Sequence, residues 1–259
     1  MEQIKHWDSV AADYQRVFDG GINEYNRGLL RFFLGEGLLT PGCRVLDIGC
    51  GVGKYGAYFA SLGCDVTLTD ISPAMLAHTK ANMAAFSTPW RTVEGDFYAL
   101  GDADLTAGEL FDLSVAMMSP AVRDLPGVVK MSRITRGWCF TANFILWRQP
   151  KRDEFYRRMG LDPVNGHDSD LEESAARLHK AVTDAGFTPR IKRVPYDWSD
   201  ERTPQDAADY LLHRAGLDPV SAEQTARAQE IAAGLADENG IFVDSVCTDV
   251  VWIYWNTEG

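Results

Sequence analysis

The sequence has few cysteines, and none of them forms a C-x-x-C pair. The five are spread along the chain, at Cys43, Cys50, Cys64, Cys139 and Cys247. An odd number with such wide spacing argues against both a disulfide framework and a structural zinc site. We therefore expect buried, reduced thiols, no bound metal and a cytoplasmic location.

The sequence also lacks a long hydrophobic run. Its longest apolar stretch, Trp138 to Trp147, is too short to span a bilayer and contains the polar residues Thr141 and Asn143. The segment from Met1 to Asp8 lacks the apolar centre of a signal peptide. We therefore expect no membrane partner.

Basic charge is in short supply. The chain has 37 acidic residues against 25 basic ones, and its formal net charge is -12. An acidic surface repels the phosphate backbone of nucleic acids, whose binding depends on a basic face. The short basic run between Lys151 and Arg158 is typical of a solvated helix face. Nucleic acid is therefore not an expected partner.

Strand-like and helix-like segments alternate from residue 44 onwards, which predicts β-α-β units, a mostly parallel sheet and helices on both faces. Residues 1–40 are predicted to be helical and rich in aromatic side chains. Residues 41–259 are predicted to form one α/β domain with a helical insert at about 203–238. The predicted strands are Arg44–Ile48, Asp65–Thr69, Trp90–Glu94, Phe111–Met117, Trp138–Leu146, Arg190–Trp198 and Ser245–Trp255.

The first predicted strand runs into a glycine-rich turn, Asp47-Ile48-Gly49-Cys50-Gly51-Val52-Gly53, which opens a helix. Glycines let the backbone turn sharply and let a ligand come close. The first amides of a helix favour an anionic group. Dinucleotides and S-adenosylmethionine both suit such a turn. Asp47 favours the second ligand, because a carboxylate repels a diphosphate and attracts the ammonium group of an amino acid.

Two further carboxylates follow the next two strands. Asp70 lies 21 residues after Gly49, where an acid can accept hydrogen bonds from ribose hydroxyls. Asp96 follows the third strand, where its carboxylate can accept the exocyclic amine of adenine while Phe97 packs on the ring. Since Asp70 suits either cofactor, the residues leave two alternatives open. One is an NAD(P)-dependent oxidoreductase, and the other is a protein that binds S-adenosylmethionine without turnover.

Together with Asp70-Ile71-Ser72-Pro73-Ala74-Met75-Leu76 and Phe111-Asp112-Leu113, these segments resemble the ordered motifs of class I S-adenosylmethionine-dependent methyltransferases. They are most similar to small-molecule enzymes of ubiquinone and menaquinone biosynthesis, over Arg44 to about Phe144. The resemblance implies a Rossmann-like seven-stranded sheet of order 3-2-1-4-5-7-6 with strand 7 antiparallel. It also implies flanking helices, an N-terminal helical lid and a helical insert between strands 6 and 7. The implied activity is methyl transfer to a small-molecule acceptor.

By that resemblance, Asp47 and the backbone at Gly49 and Gly51 hold the methionine part of the cofactor. Asp70 then holds the ribose, and Asp96 with Phe97 holds the adenine. The opening Trp7 to Tyr14 resembles the W-D-x-x-A-x-x-Y segment that covers the cofactor in many relatives, shifted by one residue at the alanine. Tyr14 is therefore the candidate lid aromatic, or else a core residue of its helix. The cofactor-binding candidates are Tyr14, Asp47, Gly49, Cys50, Gly51, Gly53, Asp70, Ile71, Asp96, Phe97 and Met117.

The sequence does not identify the acceptor. Ser119-Pro120-Ala121-Val122 lacks the amide and the aromatic ring of the N-P-P-Y-like tetrad in enzymes that methylate adenine or glutamine amides. Methyl transfer depends mainly on alignment, and a base is needed only for a protonated acceptor. His167 and Tyr196 are the candidates for that base. The insert can also serve packing or dimerisation, which leaves a homodimer open. Aromatic candidates for an acceptor pocket are Phe155, Tyr156, Trp198 and Tyr210.

Overall fold

The computed structural model describes residues 2–19, 21, 23–162, 171–217 and 219–258. The chain forms two compact units. Unit 1 comprises Met1–Asn143, Glu173–Lys192 and Val251–Gly259, and unit 2 comprises Phe144–Glu172 and Arg193–Val250. The chain therefore passes twice from unit 1 into unit 2, after Asn143 and after Lys192.

Helices and strands alternate through most of unit 1. In chain order, the elements are α1 (Glu2–Asp19), α2 (Glu24–Gly35), β1 (Arg44–Ile48), α3 (Lys54–Ser61), β2 (Asp65–Asp70), α4 (Pro73–Met83), β3 (Trp90–Glu94), α5 (Asp102–Thr106), β4 (Phe111–Met117), α6 (Leu125–Arg133), β5 (Thr135–Arg148), α7 (Pro150–Met159), α8 (Leu171–Asp184), β6 (Arg190–Pro195), β7 (Trp198–Arg202), α9 (Pro204–Arg214), α10 (Ala222–Gly234) and β8 (Phe242–Asn256).

The sheet has the order β3-β2-β1-β4-β5-β8-β6. β1 pairs in parallel with β2 and β4, β2 with β3, and β4 with β5. β8 is antiparallel to β5, as two hydrogen bonds indicate. The Thr257 amide donates to the Gly137 carbonyl, and the Thr141 hydroxyl donates to the Ile253 carbonyl. The predicted strand order and the antiparallel seventh strand are confirmed, with β8 as that strand.

Local sequence explains where two of the flanking helices begin. Ser72 precedes α4 and its hydroxyl accepts the Met75 amide at 3.1 Å, while Pro73 opens the helix. Asp124 precedes α6 in the same way and accepts the Gly127 amide at 3.0 Å. A side-chain acceptor followed by proline in the first turn satisfies amides that have no partner within the helix. Both helices therefore start at the carboxyl edge of the parallel strands, where the strands before them end.

Unit 2 has its own apolar core. α7, α9 and α10 pack around Phe155 and Tyr156, which are fully buried together with Leu211 and Phe242. Phe155 and Tyr156 are therefore core residues, and the expectation that they line an acceptor pocket is wrong. β7 pairs antiparallel with β8. The predicted insert at about 203–238 contains α9 and α10, and the domain division at residues 40 and 41 stays a prediction.

The predicted sixth strand, Arg190–Trp198, is two strands, β6 and β7. Pro195 has no amide to donate to a neighbouring strand. Immediately after it, the Asp197 carboxylate accepts the Thr248 amide at 2.8 Å, in the place of a backbone carbonyl. The proline and the side-chain hydrogen bond together interrupt the strand, so the sheet has one more strand than predicted.

Gly137 allows β5 to approach β4 closely. A Cβ at Gly137 would lie 2.4 Å from the Asp112 carbonyl oxygen. This oxygen belongs to the backbone, so a side-chain rotation cannot relieve the contact. We expect Gly137→Ala to lower the free energy of unfolding by ~3 kcal/mol, since overpacking forces a backbone shift. Gly35→Ala is the control, because nothing lies within 4 Å of its Cβ and alanine favours a helix. Urea denaturation of both variants tests this, and equal midpoints would contradict the close approach.

Candidate functional site

The glycine turn lies between β1 and α3. Gly49, Gly51 and Gly53 all have φ values in the left-handed region, at +68°, +56° and +81°. A Cβ at Gly49 would lie 2.0 Å from the Ser119 hydroxyl and 3.2 Å from the Ala121 Cβ. The segment after β4 therefore lies directly against the turn. This contact needs glycine for two reasons, the backbone conformation and the absence of a side chain.

The amides of this turn are bound within the protein. Those of Gly49 and Cys50 both donate to the Thr69 carbonyl, at 2.8 and 3.0 Å. The Gly51 amide donates to the Asp70 carboxylate at 2.9 Å. The amides of Gly49 and Gly51 are therefore not free to donate to a cofactor. The role of Gly49, Gly51 and Gly53 in cofactor binding stays a prediction.

Asp47 is a buried carboxylate near the end of β1. Only 1% of its surface is exposed, and within the described part of the chain neither of its oxygens has a hydrogen-bond partner. Burial, and secondarily the charge of Asp70, raise the pKa of Asp47 to about 7, while the Gly56 amide, which does not reach hydrogen-bond geometry, opposes part of that rise. A buried charge of this kind is costly unless it is paired. The burial of Asp47 and its lack of hydrogen-bond partners are therefore properties expected of a carboxylate that binds a cationic group.

Asp70 ends β2 and is also buried, with 9% exposed. One oxygen accepts the Gly51 amide and the other accepts the Ser72 amide, both at 2.9 Å. A carboxylate has about four acceptor sites, so each oxygen keeps capacity for a ligand hydroxyl. Burial raises the pKa of Asp70, and the amides of Ser72 and Gly51 offset part of that rise. Ile71, which follows it, is half-buried.

Asp96 and Phe97 lie in the turn after β3. Asp96 is exposed, and one of its carboxylate oxygens accepts the Tyr98 amide at 2.9 Å. Phe97 is buried, with 3% exposed. Since β1, β2 and β3 are parallel, Asp47, Asp70 and Asp96 all lie at the carboxyl edge of the sheet. The structure therefore brings the three predicted carboxylates to one edge, as parallel α/β sheets do at their ligand sites.

Two other candidates, Cys50 and Met117, lie at the same edge. Met117 ends β4 and is 4% exposed. Cys50 is buried, its sulfur lies 3.8 Å from the Thr79 hydroxyl, and burial together with Asp47 raises the pKa of its thiol. A protonated, buried thiol is a poor nucleophile. Cys50 is therefore unsuited to covalent chemistry, and its role in cofactor binding stays a prediction.

The first helix packs against the glycine turn and α4. Trp7, Val10 and Phe18 of α1 surround a cluster formed by Ala11, Val52 and Met75. The Asp8 carboxylate accepts the Ser72 hydroxyl and the Ala74 amide at the start of α4. Asp8 and Trp7 are functional candidates that the sequence analysis missed, although both belong to the opening motif. Tyr14 is 45% exposed and its ring contacts Trp7.

The structure describes one of the two candidate bases. His167 lies outside the described residues. Tyr196 belongs to unit 2, between β6 and β7, where its amide donates to the Thr248 carbonyl at 2.9 Å. Its ring stacks on Phe144, with the planes 9° apart, and also contacts Trp198. A role for either residue in proton transfer stays a prediction.

Comparison with known proteins gives independent evidence on the family of this chain. Residues 45–135 match the family described as "Methyltransferase domain". The chain is 32% identical over 204 residues to a malonyl-[acyl-carrier protein] O-methyltransferase of Erwinia pyrifoliae, covering 73% of this chain and 71% of that protein. It is 28% identical over 182 residues to a ubiquinone biosynthesis O-methyltransferase of Cereibacter sphaeroides, covering 69% of this chain and 62% of that protein.

Among solved structures, the chain is similar in fold to magnesium protoporphyrin IX methyltransferase from Synechocystis, which was solved with bound S-adenosylhomocysteine. The TM-score is 0.52 at 18% identity, over 74% of this chain and 91% of that one. A precorrin 8W decarboxylase from Methanobacterium thermoautotrophicum gives a TM-score of 0.53 at 14% identity, over 91% of both chains. These similarities concern the fold alone.

The sheet order, the antiparallel strand beside β5 and the glycine turn after β1 define a Rossmann-like methyltransferase fold. The chain belongs to the class I S-adenosylmethionine-dependent methyltransferases. S-adenosylmethionine is its cofactor, and the NAD(P)-dependent alternative that the residues left open is wrong. No helix in the described part of the chain is both long and apolar enough to cross a membrane.

Proposed function

We propose that this methyltransferase transfers the methyl group of S-adenosylmethionine to a small-molecule acceptor by in-line displacement. The observation that carries the proposal is Asp47, a carboxylate that is buried and without a hydrogen-bond partner in the described part of the chain. The ammonium group of the cofactor's methionine part is a cation of the size and charge that such a group requires. A diphosphate at the same place would add repulsion to an already costly charge.

Each carboxylate at this edge has a distinct role in the proposal. Asp47 pairs with the ammonium group, and Asp70 accepts the ribose hydroxyls with the acceptor sites that its two amides leave. Asp96 accepts the adenine amine, and Phe97 packs beside the ring. When bound, the sulfonium supplies the methyl group and leaves as a neutral thioether. The chain's contribution is to hold both reactants in line, which can lower the barrier by ~7–11 kcal/mol.

The first helix serves as a lid over this site in our proposal. Its apolar face covers Val52 of the glycine turn. The Asp8 carboxylate binds it to the start of α4 by accepting a hydrogen bond from the Ser72 hydroxyl. Farther along the helix, the Gln15 amide donates to Asn82 at 3.1 Å and the Asn82 amide donates back at 2.9 Å. Covering the turn in this way excludes water from the reacting groups. Since Tyr14 is exposed, Trp7 is the lid aromatic that the packing favours.

Oxygen is the acceptor atom to test first, because the two curated relatives named above are both O-methyltransferases. A carboxyl oxygen is ionised at neutral pH and needs no base, whereas a phenol or an alcohol benefits from one. Of the two candidate bases, Tyr196 is the one that the structure describes. The test is a Tyr196→Phe variant, which we expect to slow methylation of a hydroxyl acceptor and to leave that of a carboxyl acceptor unchanged.

The proposed function is tested by incubating the protein with methyl-labelled S-adenosylmethionine and a metabolite extract. Mass spectrometry of the labelled product then identifies both the acceptor and the methylated atom. A parallel arm presents a malonyl thioester and a simple phenol as separate substrates. We expect label on a small molecule together with release of S-adenosylhomocysteine. Label on protein or RNA alone would overturn the choice of a small-molecule acceptor.

Asp70→Ala is expected to weaken the binding of S-adenosylhomocysteine by ~10-fold or more, because a buried acceptor for two hydroxyls disappears. Isothermal calorimetry of the folded variant gives the affinity. Asp65→Ala is the matched control, since Asp65 begins the same strand and pairs with Arg44 at 3.1 Å instead. Equal affinities of the Asp70→Ala and wild-type proteins would refute the ribose assignment.

A further inference from the structure

A buried lysine holds the turn that carries Asp96 and Phe97. Lys130 lies on α6 and is 7% exposed. Its ammonium group donates hydrogen bonds to the carbonyls of Phe97 and Leu100. It also lies 4.9 Å from the centre of the Phe97 ring, within the range of a cation–π contact. A single side chain therefore fixes both ends of the segment from Phe97 to Leu100.

The turn is tight even before the lysine is considered. The amides of Ala99 and Leu100 both donate to the Asp96 carbonyl, at 2.9 and 3.0 Å. A Cβ at Gly95 would lie 2.8 Å from the Leu100 side chain, and the φ of Gly95 is +149°. The turn therefore folds back on itself. Lys130 supplies the donors that those buried carbonyls need.

A second contact ties the same turn to α6. The Tyr98 hydroxyl donates to the Asp124 carboxylate at 2.9 Å, and Asp124 is the residue that caps α6. The Arg123 guanidinium lies 4.9 Å from the centre of the Tyr98 ring. The turn is thus held by the first residues of the helix and, at Lys130, one to two turns farther along. Contacts with α6 and with the residue that caps it therefore hold the turn that carries Asp96.

Burial of a lysine is costly, and an apolar side chain would fill the same space without that cost. Burial lowers the pKa of Lys130, while the carboxylate of Asp102 opposes that change. The hydrogen bonds of Lys130 to the Phe97 and Leu100 carbonyls therefore explain why a lysine occupies this place. Both carbonyls belong to the turn that the proposed function assigns to the adenine ring.

We propose that Lys130 is a positioning residue for the adenine end of the cofactor, because it fixes the turn that presents Asp96 and Phe97. The inference rests on the proposed function of that turn. Without the ammonium group, the Phe97 and Leu100 carbonyls lose their donors and the turn relaxes. Asp96 then no longer meets the exocyclic amine, while the ribose and methionine ends of the cofactor stay bound.

The test compares two ligands that differ only at the base. S-adenosylhomocysteine carries the exocyclic amine, and S-inosylhomocysteine carries a carbonyl oxygen in its place. In the wild-type protein, we expect calorimetry to show ~10-fold tighter binding of the adenine ligand, since the carboxylate accepts the amine and repels the oxygen. In Lys130→Met, we expect this preference to fall below ~2-fold, through weaker binding of S-adenosylhomocysteine alone.

Three variants accompany the measurement. Arg133→Met removes an exposed cation from the same helix, which pairs with Asp102 at 2.6 Å, and should leave the preference unchanged. Asp96→Asn should remove the preference by itself, and adding Lys130→Met to it should cost nothing further. Lys130→Gln keeps one donating group and gives an intermediate preference, which retains a usable test if the methionine variant does not fold.

The outcomes separate the inference from the proposed function. A wild-type protein that binds both ligands equally would overturn the adenine assignment of Asp96 itself. A wild-type preference that persists in Lys130→Met and in Lys130→Gln would overturn the role of Lys130 alone. Equal loss of affinity for both ligands in the two lysine variants would also overturn it, because a general structural defect does not distinguish an amine from a carbonyl.

Discussion

Asp47→Asn is expected to weaken the binding of S-adenosylhomocysteine by about 100-fold, because the ammonium group of the ligand loses the buried counter-charge that the proposal assigns to it. Hydrogen bonds to charged groups contribute about 1.5–3 kcal/mol, and we expect the upper part of that range because Asp47 is buried. Asparagine keeps the shape of the side chain, removes the charge and replaces one acceptor oxygen with an NH2 donor. Calorimetric titration with the ligand at pH 8, where the carboxyl is ionised, measures the loss.

The same substitution is expected to stabilise the protein without its ligand. Because burial raises the pKa of Asp47 to about 7 from an ordinary 3.8, the folded protein binds a proton more tightly than the unfolded chain. Stability is then fully present below about pH 4 and is lost as the pH rises through 7. The loss amounts to roughly 4 kcal/mol for the wild-type protein. Asp47→Asn lacks this loss and should be more stable than the wild-type protein at pH 8, with an advantage that shrinks as the pH falls and becomes small below about pH 4.

Opposite effects on affinity and stability distinguish this result from general damage. Asp112→Asn is the matched control, since Asp112 lies on the adjacent strand, where it pairs with Arg136 at 2.7 Å. Burial raises the pKa of Asp112, but Arg136 and the Arg44 amide outweigh it and leave the pKa lowered. We expect Asp112→Asn to keep the affinity and to lose stability at pH 8. An Asp47→Asn variant with full affinity, or with lower stability at pH 8, would contradict the assignment.

The glycine turn and the strand order were accessible from sequence because their determinants are local. A buried run from Arg44 to Ile48, followed by three alternating glycines, predicts a strand, a turn and the start of a helix at Lys54. Asp70 and Asp96 are informative for the same reason, since each follows its strand directly. Parallel pairing then brings the ends of three strands to one edge. The geometry of the edge follows from chain order alone.

Contacts between distant segments were not accessible in this way. The predicted donors at Gly49 and Gly51 are engaged by the Thr69 carbonyl and by Asp70, and no local pattern indicates that competition. The first helix shows the same limit. Trp7, Ala11 and Phe18 lie on its packed face, whereas Tyr14 lies at the rim of that face and is exposed. Periodicity locates such a face only to within a side chain.

The division of the sixth strand illustrates a third kind of limit. The segment from Arg190 to Trp198 contains few apolar or β-branched residues for a strand. Pro195 within it indicates either an edge strand or an interruption of the strand. Its actual effect depends on Asp197 and Thr248, which are 51 residues apart. In unit 2, the burial of Phe155 and Tyr156 depends equally on α9 and α10. Both features required the folded chain.

Asp244→Leu is expected to lower the free energy of unfolding of unit 2 by ~3–5 kcal/mol. Arg152 and Asp244 form an ion pair whose side chains are 5% and 1% exposed. The Arg152 Nε donates to Asp244 at 3.1 Å, and a second nitrogen of the guanidinium donates to the same oxygen. Removing the carboxylate leaves a guanidinium buried without its partner, and a lost counter-charge in this setting carries that cost. Urea denaturation followed by tryptophan fluorescence measures the loss.

The double variant Arg152→Met/Asp244→Leu separates the cost of an orphaned charge from the value of the pair. Two apolar side chains of similar volume remove both desolvation penalties, so we expect the double variant to recover most or all of the stability lost by Asp244→Leu. The other Asp244 oxygen has no partner in the described part of the chain, which makes the native pair imperfect and strengthens this expectation. A double variant as unstable as Asp244→Leu would show instead that the pair stabilises unit 2 in its own right.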